Sequence, residues 1–438
     1  MEIQPFTGYR YNLDKIRCLD DVVAPPYDVI DNQLQDELYA RHPNNVVRLI
    51  LNRISPTDDA ENNRYIRTAK TLTDWINEKI LVKDESPSIY VYHQIFEFDG
   101  QPLVRKGFMC RCLATPFGYG MVYPHEITMN APKLDRLMLT TACKMNFSQI
   151  FGIYPDEQNE IQSQLDETII RNNISPISAT DHLGVQHKMW ILNDKETIES
   201  AIKKMSPKPI FIADGHHRYE TACNYRKQID EMGLLHSKHP ANYVLMVCIA
   251  MEDKGLIVMP THRLFTGIPQ LTSEILKSKL GNNFDLEESG EGIESANNVW
   301  NRVKNAGSQD VIGLFTAKDN KWNITKITPN GKELMDKVAA EHHPEWRELG
   351  VSLLHRLIVE TLIGIPEPPK PSYVHLVDEL VKEFKSKPNN YPLVALVEPA
   401  NINQIKNLCL LNDRMPAKST YFYPKLIAGF VFNPLDEF

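Results

Sequence analysis

The stretch Pro209-Ile210-Phe211-Ile212-Ala213-Asp214-Gly215-His216-His217-Arg218-Tyr219 constrains the fold more than any other part of this 438-residue chain. Residues 209–213 are apolar and read as a short buried strand. Gly215 permits a tight turn. From about Tyr219 to Met232 the residues Ala222, Tyr225, Ile229 and Met232 then recur at helical spacing. A strand that turns directly into a helix commits the chain to an α/β or α+β arrangement. The first turn of such a helix carries N–H groups without intrahelical acceptors and the positive end of the dipole, which suits an anion. His216, His217 and Arg218 can supplement those donors, and Arg218 can grip a phosphate through two parallel bonds where a lysine cannot. Asp214 would repel phosphate, so a metal ion or a substrate hydroxyl or amine suits it better. On the residues alone, a plain helix cap flanked by surface histidines stays open.

The rest of the chain alternates strand and helix patterns. Asn32 to Tyr39 and Arg64 to Lys79 read as helices, the second with Ile66, Ala69, Leu72, Trp75 and Ile76 as its apolar stripe. Ser88 to Phe98 and Leu103 to Leu113 form a hairpin around Asp99-Gly100. Helices are expected over Lys133–Thr141, Ile161–Arg171 and Glu196–Lys204, with a strand over Lys188–Asn193. Ala241 to Ala250 reads as a buried strand. Polar segments near 286–297 and 305–310 break the pattern. Strands follow at Ser372–Leu376, Leu393–Glu398 and Leu426–Phe432, with helices near 378–385 and Ile402–Leu410. These elements predict mixed sheets in three regions: 1–155, a central region 156–335 carrying the turn at Asp214, and 336–438.

Length alone calls for more than one core. Hydrophobic residues at 42% and charged residues at 24% give the balance of a packed globular protein. A net charge of −8 argues against a nucleic-acid partner, which needs a basic face. The polar, acidic start does not resemble a secretory leader, and the longest apolar run, Tyr243 to Met251, is about half a membrane span. The seven cysteines show no zinc or redox spacing; Cys110-Arg111-Cys112 is one residue short of such a pair. Reduced thiols and a cytoplasmic location are therefore expected, with no membrane partner and a homodimer left open.

Several further groups carry reactive side chains. Pro124-His125-Glu126-Ile127-Thr128 places an imidazole, a carboxylate and a hydroxyl in five residues, and Glu126 suits a general base or a magnesium ligand. Lys133, Asp135 and Arg136 open a helix, where the lysine or arginine can bind phosphate. Asp28 follows Ala24-Pro25-Pro26-Tyr27, a stretch that the prolines hold out of helical geometry, and is a second candidate carboxylate. Thr261-His262-Arg263 follows a strand and Pro260. Lys418-Ser419-Thr420-Tyr421-Phe422-Tyr423-Pro424-Lys425 mixes lysines, hydroxyls and aromatics in a way that suits a phosphate or a base. Solvated turns, helix ends or an edge strand explain each of these groups equally well. His342-His343 reads as surface and His355 as a core or interface histidine of an apolar helix. No P-loop, GxGxxG, GxSxG or HExxH pattern occurs.

The segment Asp214-Gly215-His216-His217-Arg218 resembles the signature of the ParB/sulfiredoxin-like superfamily, in particular its free-serine-kinase branch. More broadly the chain resembles the family called domain of unknown function 1015. The matching stretches are Asp21–Ile30, His125–Thr128, Pro132–Arg136, Ile212–Ala222, Pro260–Arg263 and Met415–Lys425. The resemblance implies a strand, turn and helix that hold nucleotide phosphates, and phosphoryl transfer between ATP or ADP and serine or phosphoserine, a step of serine biosynthesis. It implies a nucleotide- and phosphate-binding site formed by Asp214, Gly215, His216, His217, Arg218, Lys133, Arg136, Thr261, His262 and Arg263, with Asp214 acting other than on a phosphate oxygen. Proton handling falls to Glu126, Asp28, His125 or His217, and Mg²⁺ to Glu126 and Asp214. Substrate contacts fall to Lys418, Ser419, Thr420 and Lys425. A nucleotide-independent phosphoserine phosphatase and a nucleotide-binding switch without turnover remain alternatives. The serine kinases are shorter, so nearly half of this chain is expected to lack a counterpart in them, and the catalytic carboxylate stays undecided.

Overall fold

The apolar runs pair into one nine-stranded mixed sheet and one six-stranded sheet in a computed structural model that describes residues 1–387 and 389–436. Contacts group the chain into two units. The first comprises Met1–Pro124, Thr128–Ile257 and the segment from Pro424 onward; the second comprises His125–Ile127 and Val258–Tyr423. These borders differ from breaks at 155 and 335, because two short stretches, at 125–127 and after 423, join units remote from their sequence neighbours.

In the first unit the strands are β1 (Ile3–Gln4), β2 (Ile89–Phe98), β3 (Gln101–Leu113), β4 (Val122–Tyr123), β5 (Ile150–Tyr154), β6 (Ile177–Thr180), β7 (Gln186–Leu192), β8 (Ile210–Asp214) and β9 (Tyr243–Ala250). Their order is β4-β8-β5-β9-β3-β2-β7-β6, with β1 against β3. The pairs β4/β8 and β5/β9 are parallel and the others antiparallel. Asp99 and Gly100, both at positive φ, make the tight turn between β2 and β3. Every residue of β9 is buried, as its unbroken apolar run requires. Ile161 and Leu165 (helix Glu160–Arg171), Ile198 and Met205 (helix Lys195–Met205), and Tyr219 (helix His216–Glu231) share a core with Ile150, Ile210, Ile212 and Met246. Each such side chain contributes roughly 1.5–3 kcal/mol by leaving water.

In the second unit the sheet order is Phe284–Glu291, Lys321–Ile327, Val311–Thr316, Leu393–Val397, His262–Phe265, Ser372–Val374. Val299 of helix Ala296–Ala306 and Leu380 and Phe384 of helix Val377–Ser386 pack with Trp322, Val394 and Leu396. His355 is partly buried in an apolar π-helical segment Leu353–Ile363, against the Phe265 ring.

Three local expectations fail. Phe284–Glu291 is a strand despite its polar sequence, because it is an edge strand with partners on one side only. Leu426–Phe432 is not a strand; it makes isolated bridges from Ala428 to Ala24 and from Phe432 to Tyr9. Met232, placed on the buried stripe, is 65% exposed, because the helix ends at Glu231. Among the described residues no helix is long and apolar enough to cross a membrane.

Candidate functional site

In the first unit β8 ends in a bulge: its register against β5 shifts between Ile212 and Asp214, so that Ala213 is the extra residue and Asp214 pairs opposite Phe151. Gly215 follows at φ +94° and begins helix His216–Glu231, whose start no side chain caps. The positive φ is one reason for glycine here. Space is the other, since a Cβ at 215 would lie 2.9 Å from Arg218 Nη2. Arg218 therefore folds back beneath the turn. Its Nη1 donates to Gln149 O at 2.5 Å and to Ser148 Oγ at 3.3 Å, and its Nη2 reaches Asp214 Oδ1 at 3.4 Å. This guanidinium braces the turn against the start of β5, where the sequence suggested an outward phosphate clamp. A cavity of about 40 Å³ beside Arg218, lined also by Arg136 and Ser148, has room for a water and not for a nucleotide.

The second cation at the turn comes from far along the chain. Lys425 Nζ donates to Asp214 Oδ2 at 2.5 Å. Its segment is strapped to the sheet: Gln94 Nε2 donates to Lys425 O at 2.9 Å, Arg105 donates to Pro424 O, and Gln149 Nε2 donates to Ile427 O at 2.8 Å. Arg105 is 1% exposed, and burial lowers its pKa to about 10. Asp253 and Asp214 partly offset that burial cost. His217 Nε2 accepts from Met129 N–H at 3.0 Å, so the proton of the neutral ring sits on Nδ1. Glu220, on the same helix, accepts from Thr128 Oγ1 and pairs with Lys133 at 3.5 Å. A larger pocket of about 430 Å³ runs along this helix, lined by Tyr219, Glu220 and Phe117 among others. The rings of Phe117 and Tyr219 stack at 5.1 Å.

Arg136 departs from the expected phosphate contact. It is buried, donates to Ile50 O at 2.6 Å, pairs with Asp135 and lies 4.1 Å over the Tyr27 ring. Burial alone would raise the Asp135 carboxyl; Arg136, Tyr65 and Arg64 hold it below the ordinary carboxylate range. Tyr27 itself is raised by burial and by Asp28, with Arg136 and Arg218 acting against them. The Ala-Pro-Pro-Tyr-Asp stretch thus lies within electrostatic reach of Arg218, with Asp28 exposed beside it in the turn Tyr27–Val29.

The remaining candidates gather in the second unit. His125 Nε2 is 2.8 Å from Thr420 Oγ1, and Glu126 Oε1 accepts from Lys418 N–H at 3.1 Å. Ser419 Oγ donates to Pro416 O. Arg263 donates to Thr261 O and, at 2.9 Å, to Lys418 O, while its Nε is buried without a partner. Thr261 Oγ1 lies 3.5 Å from His375 Nδ1, and the His375 ring stacks on Tyr421 at 3.6 Å. His262 and Arg263 are fully buried within a strand, where the sequence placed them after the end of one. Burial pushes the His262 ring down to about 3, with Arg263 and His375 adding to the effect, so it is neutral.

The expected site residues therefore form two groups. Asp28, Lys133, Arg136, Asp214–Arg218 and Lys425 belong to the first unit. His125, Glu126, Thr261–Arg263 and Lys418–Thr420 belong to the second. Among the described residues the one set of three His, Cys, Asp or Glu side chains with converging ligand atoms is Cys110, Cys112 and Cys248, which includes neither Asp214 nor Glu126. Sequence reading missed Arg105, Gln149 and Glu220. Arg105 had a signal: it stands directly opposite Gln94 in the hairpin, a polar pair facing into a buried sheet.

The fold and the bulged strand–glycine–helix turn define a mixed α/β protein with cationic side chains gathered at one strand end. The chain belongs to the family described as "Protein of unknown function (DUF1015)", whose model matches residues 3–352. The Met415–Lys425 stretch lies beyond that match. No curated protein matches the sequence. Among solved structures, a free serine kinase in complex with AMP aligns at 10% identity and TM-score 0.32, over 72% of this chain and 88% of that one. A conserved hypothetical protein from Pyrococcus furiosus aligns at 11% and 0.32, over 71% and 91%. C-terminally truncated SbnI from Staphylococcus aureus aligns at 9% and 0.34, over 75% and 87%. At such TM-scores no site residue is carried over.

Proposed function

We propose that this protein is a phosphotransferase that moves a phosphoryl group between an adenine nucleotide and serine, with the reverse reaction turning phosphoserine and ADP into serine and ATP. The observation that supports it is the convergence of Lys425 and Arg218 on Asp214 at a bulged strand that turns, through Gly215, into a helix. Asp214 balances two cations, so an arriving phosphate competes for Lys425 while Arg218 keeps the turn in place. The helix start at His216 and His217 adds the dipole's positive end. The pocket of about 430 Å³ along the same helix is large enough for a nucleoside. The choice of serine follows from the motif resemblance at 214–218.

In the forward direction the serine hydroxyl oxygen bonds to the γ-phosphorus as the bond to the bridging oxygen of ADP breaks. The hydroxyl proton passes to a carboxylate. Asp28 fills that role in the first unit. Glu126, with His125 and the Lys418–Thr420 turn, is the counterpart in the second, and Asp28→Asn against Glu126→Gln decides between them. Magnesium enters this reading on the nucleotide phosphates, since among the described residues neither Asp214 nor Glu126 belongs to a converging set of three ligand atoms, and no step is assigned to a resident ion.

The test is serine release from O-phospho-L-serine with Mg²⁺, with and without ADP, following serine and ATP together. Both products appearing only with ADP supports the kinase. Serine without ADP indicates a phosphatase. No product in either direction, with ADP still bound, moves the protein to a nucleotide-binding switch.

A further inference from the structure

Three thiols meet inside the nine-stranded sheet and have no part in the site at Asp214. Cys110 and Cys112 stand two residues apart on β3 and so project from the same face. Cys248 stands on the neighbouring strand β9, which pairs antiparallel with β3. All three are 0% exposed and share an apolar core with Phe108, Ile150 and Met246. The sulfurs of Cys110 and Cys112 are 3.8 Å apart, those of Cys110 and Cys248 3.9 Å apart, and all three lie within 4.8 Å of one another.

The strand alone does not bring them so close. Side chains standing straight off positions i and i+2 are about 6.8 Å apart, twice the rise per residue, so the Cys110 and Cys112 sulfurs lean together. A buried cysteine behaves as a small apolar side chain with a weak donor, which gives three thiols little reason to gather at one point. A metal ion supplies one. A point equidistant from three sulfurs so spaced lies roughly 2.2–2.5 Å from each, against about 2.3 Å for a zinc–thiolate bond.

The donor set selects the ion. Sulfur ligands without nitrogen or oxygen favour soft ions such as Cu(I) and zinc. Structural zinc takes four ligands. Among the described residues no fourth His, Cys, Asp or Glu joins the set, and full burial leaves no opening for a water. Cu(I) is satisfied by three sulfurs. Burial, with the neighbouring thiols, raises the Cys110 thiol well above its ordinary value, so without an ion it keeps its proton. As a sulfur–copper bond forms, the S–H bond breaks and the proton leaves to solvent, with no change in oxidation state.

We propose that Cys110, Cys112 and Cys248 form a three-sulfur site for Cu(I) that ties β3 to β9. The site uses none of the residues of the phosphotransferase reading, so each can fail without the other.

The test uses full-length protein carrying Cys18→Ser and Cys223→Ser, which removes the exposed and the half-buried thiol as loose copper ligands. It is produced in cells grown with added copper, so that the ion is present as the sheet forms, then purified without oxygen and dialysed against the Cu(I) chelator bicinchoninate. About one copper per chain should remain, and its X-ray absorption should show three sulfur neighbours. Cys112→Ala and Cys248→Ala in the same background should each lower retention at least about tenfold. Protein that keeps no copper, or keeps zinc instead, overturns the proposal, and so does retention unchanged in the folded alanine variants. If those variants do not fold, the sulfur count in the parent protein decides: fewer than three neighbours overturns the site.

Discussion

Replacing Gly215 with alanine should loosen the turn by an amount the geometry allows one to work out. At φ +94° the residue occupies the left-handed region, where a Cβ costs roughly 1–2 kcal/mol. The new Cβ would also stand 2.9 Å from Arg218 Nη2 and 3.1 Å from its Cζ and Nε, so the guanidinium has to shift. That shift puts the 2.5 Å bond to Gln149 O at risk, and a hydrogen bond from a charged group is worth about 1.5–3 kcal/mol. A long side chain recovers part of this by moving, which leaves about 2–4 kcal/mol. In native-state hydrogen exchange the amides of His216–Glu231 should exchange roughly 30- to 700-fold faster, since each 1.4 kcal/mol is about tenfold. Peptides over 311–327, in the second unit, serve as the internal reference. The same substitution in an Arg218→Ala background should cost only the backbone share, about 1–2 kcal/mol. An unchanged exchange rate, or an equal cost in both backgrounds, would refute the folded-back arrangement of Arg218.

Lys425→Ala removes the 2.5 Å partner of Asp214 and should weaken ADP binding about tenfold or more by calorimetry; unchanged affinity would take Lys425 out of the site. Arg105→Met deletes the donor shared by Gln94 Oε1 and Pro424 O, so faster exchange over 424–432 and weaker ADP binding should appear together. Loss of folding stability without any change in ADP affinity would make Arg105 purely a core residue. Burial lowers both His262 and His355 to about 3, against an unfolded value of about 6.5. The stability that these neutral rings contribute is therefore present above about pH 6.5 and lost as pH falls toward 3. Urea midpoints followed through Trp300 and Trp322 fluorescence should fall across that window, and less steeply in His355→Leu. A flat profile between pH 7 and 4 would contradict the buried, uncharged assignment.

What could be seen in the sequence was what is decided locally. The switch from an apolar strand to helical spacing around Gly215 needs only a dozen residues, and the hairpin at Asp99-Gly100 needs only its two positive-φ positions. What escaped depends on long-range strapping. Lys418 and Lys425 are seven residues apart and were read as one cluster, yet the chain changes unit at Pro424. One lysine then donates its backbone N–H to Glu126 and the other places its ammonium on Asp214. His125-Glu126 and Thr128 are separated in the same way, although they sit in one five-residue motif. Charge type alone was also a poor guide to role. Arg218 and Arg136 were both expected to meet phosphate, but their donors go to Gln149 O and Ile50 O. A guanidinium with several donors in a rigid plane is well suited to tie a turn to backbone carbonyls, whereas an ammonium on a flexible stem can leave one carboxylate for another anion. At Asp214 this sorts the two cations by chemistry: the arginine belongs to the frame, and the lysine is the group that an incoming phosphate recruits under the phosphotransferase proposal.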